Sequence, residues 1–70
     1  MKFSEREKKE IIKKMEEYIK QNYRMRSRLY DMKEADNMII ASFVLYDDMS
    51  SRIVTLCYEN EKVGVYNDIF

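Results

Sequence analysis

Arginine and tyrosine side chains are the residues of this sequence with the clearest binding chemistry. Three arginines occupy every second position of one segment, and in a β-strand their side chains would stand about 6.8 Å apart on one side. Guanidinium groups and aromatic rings stack on nucleic-acid bases, and both are enriched at the energetic centres of protein interfaces. The residues concerned are Arg24, Arg26, Arg28, Tyr30, Tyr46 and Tyr58. A second interpretation of the arginines is a solvated basic edge that prevents strand-to-strand aggregation.

Catalytic and metal-binding chemistry is, by contrast, scarce in this sequence. Histidine is absent and Cys57 is the one cysteine, so no imidazole can activate the thiol and no disulfide can form within the chain. Asp47 and Asp48 are adjacent, but no glycine-bearing loop of calcium-site spacing follows them. We therefore expect no enzymatic activity, no cofactor and no metal, and we expect Cys57 to be a buried structural residue.

The 70 residues are balanced in total charge, but the charges are unevenly distributed. Residues 1–33 carry eleven lysines and arginines against six acidic residues, whereas residues 34–70 carry two against seven. Either the two halves attract each other within the fold, or the asymmetry serves a charged partner. The neutral total disfavours nucleic acid, because domains that bind it usually have a basic surplus.

The length and the N-terminal segment indicate the class of protein. Seventy residues predict one domain, residues 1–70, with a small core for which a partner subunit is a common support. The first ten residues are charged and no apolar segment follows them, so we expect neither a secretory signal nor a membrane span. A free thiol is typical of reducing compartments, and we therefore expect a cytoplasmic protein.

The elements that would position the binding residues form an α+β arrangement. Ser4 and Glu7 have the spacing of a capping box, and apolar residues then recur at helical spacing to about residue 21. Segments rich in β-branched and aromatic residues predict strands at about 23–32, 38–46, 52–58 and 63–66. Residues 23–32 also fit a continued helix, but their strict polar alternation favours a strand. We predict a helix of residues 4–21 packed on one face of a three- to four-stranded antiparallel meander.

Assumed turn lengths predict which side chains share a face of this sheet. A two-residue turn at Asn60-Glu61 pairs Cys57 with Gly64, and five-residue loops at 33–37 and 47–51 pair Ala41 with Leu29 and Cys57. Small residues in a row across three strands would then let the helix approach closely over Ala41, Cys57 and Gly64. The opposite face would be uncovered, with an apolar patch formed by Ile40, Val44, Val54, Leu56, Val63 and Val65.

An uncovered apolar face of this kind predicts a binding surface rather than an active site. The leading hypothesis is a small non-enzymatic module that binds a protein, either a different chain or a second copy of itself. An inhibitor or accessory subunit, such as an anti-defence protein of a phage or mobile element, is one such class. The alternative is a nucleic-acid-binding module that uses the arginine row. The predicted contact residues are Arg24, Arg26, Arg28, Tyr30, Tyr46, Arg52, Leu56 and Tyr58.

Overall fold

One helix lies against a four-stranded antiparallel sheet whose strands are neighbours in chain order. The computed structural model describes residues 3–69, with side chains described for residues 3–67. The elements are α1 (Glu5–Tyr23), β1 (Arg26–Ala35), β2 (Met38–Tyr46), β3 (Ser51–Glu59) and β4 (Lys62–Ile69). The predicted α+β fold, with the helix on one face of an antiparallel meander, is confirmed.

The capping box predicted from Ser4 and Glu7 starts the helix. The Ser4 hydroxyl accepts a hydrogen bond from the Glu7 amide at 3.1 Å, and the Glu7 carboxylate accepts one from the Ser4 amide at 2.8 Å. Buried residues then follow at four-residue spacing, namely Ile11, Met15 and Ile19. Tyr23 is the next residue in this series and packs against the same core.

The predicted start of β1 is wrong by three residues, because the helix includes Tyr23. Arg24 ends the helix in the left-handed conformation, with φ of 56°, and the strand begins at Arg26. The strand interpretation of this segment holds for its remainder. At the other end β1 continues to Ala35, which pairs with Met38 across a two-residue turn at Asp36-Asn37. The predicted five-residue loop at 33–37 is therefore too long.

The core lies between the helix and one face of the sheet. Strand β2 alternates strictly between fully buried and half-buried residues, as expected for a central strand covered on one side. The three helix residues named above meet buried side chains from the two central strands. These are Ile39, Ala41, Phe43, Leu45, Val54, Leu56 and Tyr58.

The predicted face assignment of β3 is wrong, and the β2–β3 turn is the cause. Tyr46 pairs with Ser51, so the connection has four residues rather than five. The Asp47 carboxylate accepts hydrogen bonds from the amides of Met49 and Ser50, both at 2.8 Å, and these bonds close the shorter turn. A shift of one residue moves every side chain of a strand to the opposite face.

The corrected register removes the row of small residues predicted under the helix. Ala41 pairs with Leu56, whereas Cys57 pairs with Ile40 and lies on the face away from the helix. The predicted pairing of Cys57 with Gly64 is confirmed, so Gly64 also lies on that far face. Val63 packs against the core instead. The prediction that Cys57 is buried under the helix is therefore wrong.

A bulge in β1 preserves the predicted faces of its first half. Leu29 pairs with Phe43 and Asp31 with Ser42, which leaves Tyr30 as the extra residue. Leu29 therefore lies on the helix side although its predicted partner, Ala41, instead pairs with Met32. The extra residue compensates for an odd shift in register, so the first residues of β1 keep the predicted alternation.

Candidate partner-binding surface

The face of the sheet opposite α1 has an apolar centre, and we call this side of the sheet the open face. Its centre comprises Ile40 and Val44 of β2 and Ile53 and Cys57 of β3, which we call the apolar band. Ile40 pairs with Cys57 and Val44 with Ile53. Three of the four are half-buried by their neighbours, and Ile53 is 39% exposed.

A polar pair divides the apolar band. Ser42 lies between Ile40 and Val44 on β2, and its hydroxyl is 2.9 Å from that of Thr55 on β3. One hydroxyl donates to the other, so covering the open face would cost less desolvation energy than covering two unpaired hydroxyls, although the accepting hydroxyl keeps its own hydrogen to donate.

Charged residues border the apolar band on its β1 side. Register places Arg26, Arg28, Asp31 and Lys33 on the open face, opposite residues of β2 that belong to the same face. All four are exposed. An apolar centre with a charged margin is the usual anatomy of a specific protein interface.

Arginine and tyrosine residues meet at one corner of the open face. A shallow pocket there is lined by Arg28, Leu29, Tyr30, Val44 and Tyr46. The Tyr30 side chain is 69% exposed at the bulge. The guanidinium of Arg26 lies 5.1 Å from the centre of the Tyr46 ring and 3.4 Å from the Asp48 carboxylate. This corner therefore presents one cation–ring contact, between Arg26 and Tyr46, beside Arg28 and the exposed Tyr30.

The structure brings together four of the eight predicted contact residues and separates the others. Arg26, Arg28, Tyr30 and Tyr46 form the corner just described. Arg24 is exposed at the end of the helix and lies outside β1, so the predicted row of three arginines reduces to two.

The remaining three predicted contact residues lie on the helix side of the sheet. Arg52 pairs with Leu45, and its guanidinium is 5.2 Å from the Tyr23 ring. Leu56 is fully buried in the core. Tyr58 is 9% exposed, with its ring 6.5 Å from that of Phe3. Their predicted exposure on the uncovered face is wrong, for the reason of register given above.

Sequence reasoning missed Ile53, Cys57 and Gly64 as residues of the open face. The signal that identifies them is the short connection after Tyr46. An aspartate at the first position of a turn, followed by small or flexible residues, often accepts hydrogen bonds from the amides two and three residues later. In the structure this bonding at Asp47 closes a connection of four residues, and that length reverses the predicted faces of β3.

Gly64 lies on the open face in β4, two residues before Tyr66, which is the extra residue of a bulge in that strand. The φ of Gly64 is not positive, and a Cβ built there meets nothing within 4 Å among the described residues. A glycine in a strand interior weakens the strand and often marks a bulge or a close approach by another backbone or a ligand. Gly64 therefore leaves space on the open face that no described side chain fills.

The perturbed ionisable groups of this chain have structural roles away from the apolar band. Hydrogen bonds to the Glu34 and Glu5 carboxylates raise the pKa of Lys8, with both N–O distances at 3.2 Å. Glu34 also accepts a bond from the Phe3 amide at 2.7 Å. Amide hydrogen bonds from Met49 and Ser50 lower the pKa of Asp47. The bonds from Lys8 and Phe3 to Glu34 connect the start of the helix to β1, and the bonds to Asp47 close the β2–β3 turn.

Two further properties bear on the chemistry of the site. Among the described residues, no three His, Cys, Asp or Glu side chains cluster as metal ligands would. Within the same part of the chain, no helix has the length and apolarity needed to cross a membrane.

No protein family, curated protein or solved structure matches the chain.

Proposed function

We propose that this chain is a non-enzymatic protein-binding module and that the open face is its contact surface. The observation that carries this proposal is the apolar band, which α1 leaves uncovered and which charged residues border. An isolated apolar side chain at a surface is ordinary, whereas several apolar side chains grouped on one uncovered sheet face often mark an interface. Here two apolar cross-strand pairs lie on either side of one pair of mutually bonded hydroxyls. Fully burying an exposed aliphatic side chain is worth about 1.5–3 kcal/mol. Ile53 is 39% exposed, so each residue of the band contributes only a fraction of that value and the affinity comes from the band as a whole.

The corner formed by Arg26, Arg28, Tyr30 and Tyr46 would give such an interface its specificity. Arginine and tyrosine offer large apolar contact areas together with directed hydrogen bonds, and both are frequent among residues that dominate binding energy. The Tyr46 ring beneath Arg26 reduces the side-chain entropy that binding would cost, because the guanidinium is already positioned.

The chemistry of the chain favours an accessory or inhibitory role over catalysis. Without histidine, Cys57 has no neutral base to activate it, and it lies half-buried beside Ile40. We also place the protein in the cytoplasm, where reducing conditions keep such a thiol free. An inhibitor encoded by a phage or mobile element is one protein class that fits a small chain with these features.

Two substitutions at equally exposed apolar sites test whether the open face binds. Ile53 is 39% exposed on the open face, and Val65 is 45% exposed on β4 opposite Leu56, toward the helix side. We expect Ile53→Asp to abolish binding of protein partners that the parent captures from its host, and Val65→Asp to retain it. Equal capture by both variants would refute the open face as the contact surface.

A nucleic-acid partner is a second candidate, because Arg28, Tyr30 and Tyr46 line one pocket. Stacking groups beside a guanidinium bind single strands with little sequence preference. Affinity for a single-stranded oligonucleotide would then fall with salt at a log–log slope of about −0.7 per phosphate contacted. Arg28→Glu would weaken that binding more than Ile53→Asp. The opposite order supports the protein partner.

A further inference from the structure

We propose that the partner covering the open face is a second copy of this chain. The two sheets would pack face to face, related by a two-fold axis that runs parallel to the strands above the line between β2 and β3. Each helix would then lie on the outside of a four-layer dimer. This inference rests on the proposed function, since it names the occupant of the same surface.

The pattern of residues across β2 and β3 is the first argument, because register pairs like with like. The pairs Ile40–Cys57 and Val44–Ile53 are both apolar, and the pair between them, Ser42–Thr55, is polar. A two-fold axis between these strands places β2 of one copy over β3 of the other. Val44 then meets Ile53 of the second copy, so apolar side chains face apolar side chains.

The two-fold axis between the sheets could run either parallel or perpendicular to the strands. The charges on the open face distinguish between these two orientations and supply the second argument. An axis perpendicular to the strands would place β1 over β1, with Arg28 over Lys33 and Asp31 over Asp31 of the second copy. Like charges directly opposed are destabilising. The axis parallel to the strands instead places Asp31 over Asn67, because both occupy the Ser42–Thr55 row. The charges on the open face therefore favour the parallel axis.

Gly64 is the third argument, because the parallel axis gives it a role. Lys33, Ile40, Cys57 and Gly64 form one row across the sheet. The axis places Lys33 of one copy over Gly64 of the other, where a missing side chain leaves room for the long aliphatic stem of a lysine. The open space beside Gly64 would thus admit a side chain of the second copy.

The area of the open face is the fourth argument. Four strands about 4.8 Å apart and nine residues long at about 3.4 Å each present a face of about 600 Å². Two such faces bury about 1,200 Å² in total, which reaches the range of specific interfaces. Aligned sheets normally pack about 10 Å apart with their strands rotated by about 30°. The central pairs stay opposed under that rotation because they lie close to the axis.

Light scattering on the purified chain over a range of concentrations tests the dimer. We expect a mass that rises with concentration to twice the 8.6 kDa of the chain. Ile53→Arg should remain a monomer, while Val65→Arg should dimerise as the parent does. A parent that stays monomeric at near-millimolar concentration overturns the proposal, as do two variants that both dimerise.

Gly64→Val provides a variant whose fold is expected to be intact. Valine suits a strand, and a Cβ at this position meets no described atom within 4 Å beyond its chain neighbours, so circular dichroism should match the parent. The added side chain should nevertheless weaken dimerisation at least tenfold, because it occupies the space proposed for Lys33. Unchanged dimerisation of Gly64→Val would contradict the proposed packing.

Isotope-filtered nuclear Overhauser spectra of a mixed labelled and unlabelled dimer identify the axis. The parallel axis predicts contacts between copies from Val44 methyls to Ile53 methyls. Contacts from Val44 to Ile40 instead would indicate the perpendicular axis and refute the proposal. A monomeric parent whose host partner is lost by Ile53→Asp would reject the second copy but retain the proposed function. A monomer that captures nothing would reject both.

Discussion

Single residues of β3 show most clearly how the direction of a side chain determines its role. Leu56 and Cys57 are adjacent, yet Leu56 is fully buried in the core and Cys57 lies half-buried on the open face. Their types do not distinguish them, because both are apolar and of moderate size. Position relative to the helix places one in the core and the other on the proposed contact surface.

Truncation of these two neighbours should therefore have unequal effects on stability. We expect Leu56→Ala to lower the free energy of unfolding by about 2–5 kcal/mol, because it leaves a cavity in a small core. Cys57→Ala should cost less than about 1 kcal/mol, since solvent or neighbouring side chains can fill its place. Urea unfolding at low protein concentration measures both. Equal losses would contradict the observed register of β3.

At the scale of elements, the length of each turn determines which side chains of the next strand face the helix. The β2–β3 turn shows this most clearly. Its four residues are closed by the Asp47 carboxylate and by a backbone bond from the Asp47 amide to the Ser50 carbonyl at 3.0 Å. One more residue would exchange the two faces of β3. The turn therefore determines that Val54 and Leu56 reach the helix and that Ile53 does not.

Asp47→Ala should lower the thermal midpoint, and the loss should depend on pH. Amide hydrogen bonds lower the pKa of the Asp47 carboxyl in the folded state. The stabilisation is thus present above the ordinary aspartate pKa, about 3.9, and is lost as the pH falls through the lowered folded value. The difference between parent and variant should therefore shrink on acidification.

Asp48→Ala is the matched control for this experiment. Asp48 is exposed in the same turn and contacts Arg26 alone among the described ion pairs. Its removal should change the midpoint little, since exposed pairs contribute little to stability. A pH-independent loss in Asp47→Ala would indicate that the carboxylate does not close the turn.

At the scale of the whole molecule, two layers enclose a core to which ten buried apolar residues of the described part of the chain contribute. The helix covers one face of the sheet, while the other retains the apolar band. Small domains of this kind have narrow stability margins and gain from association. A dimer would therefore join function and stability, because the surface that binds would also complete the fold.

Thermal unfolding of the parent should accordingly depend on protein concentration. Any species that binds the native state alone raises its apparent stability by mass action. We expect the midpoint of the parent to rise over a hundredfold increase in concentration, while that of Ile53→Arg stays constant. Differential scanning fluorimetry or circular dichroism measures both. A constant midpoint in the parent would contradict self-association in this range.

Local sequence determined the elements of this protein. The Ser4–Glu7 capping box and the four-residue spacing of Ile11, Met15 and Ile19 predict the helix and its buried stripe. The β-branched run of residues 38–46 predicts β2 with its observed bounds. These features were predictable because each depends on hydrogen bonds and apolar periodicity within a few residues.

The tertiary structure alone decided which residues meet on each face. The lengths predicted for two turns, at Asp36-Asn37 and after Tyr46, are wrong, and each error is local. Side chains alternate between the two faces of a strand, so an odd error in turn length moves every side chain of that strand to the opposite face. The bulge at Tyr30 compensates for such a shift in the first half of β1, whereas β3 pairs with β2 without a bulge. Leu56 and Tyr58 therefore lie in the core, and Ile53, Cys57 and Gly64 lie on the open face. Long-range register, rather than composition, therefore formed the surface on which the proposed function depends.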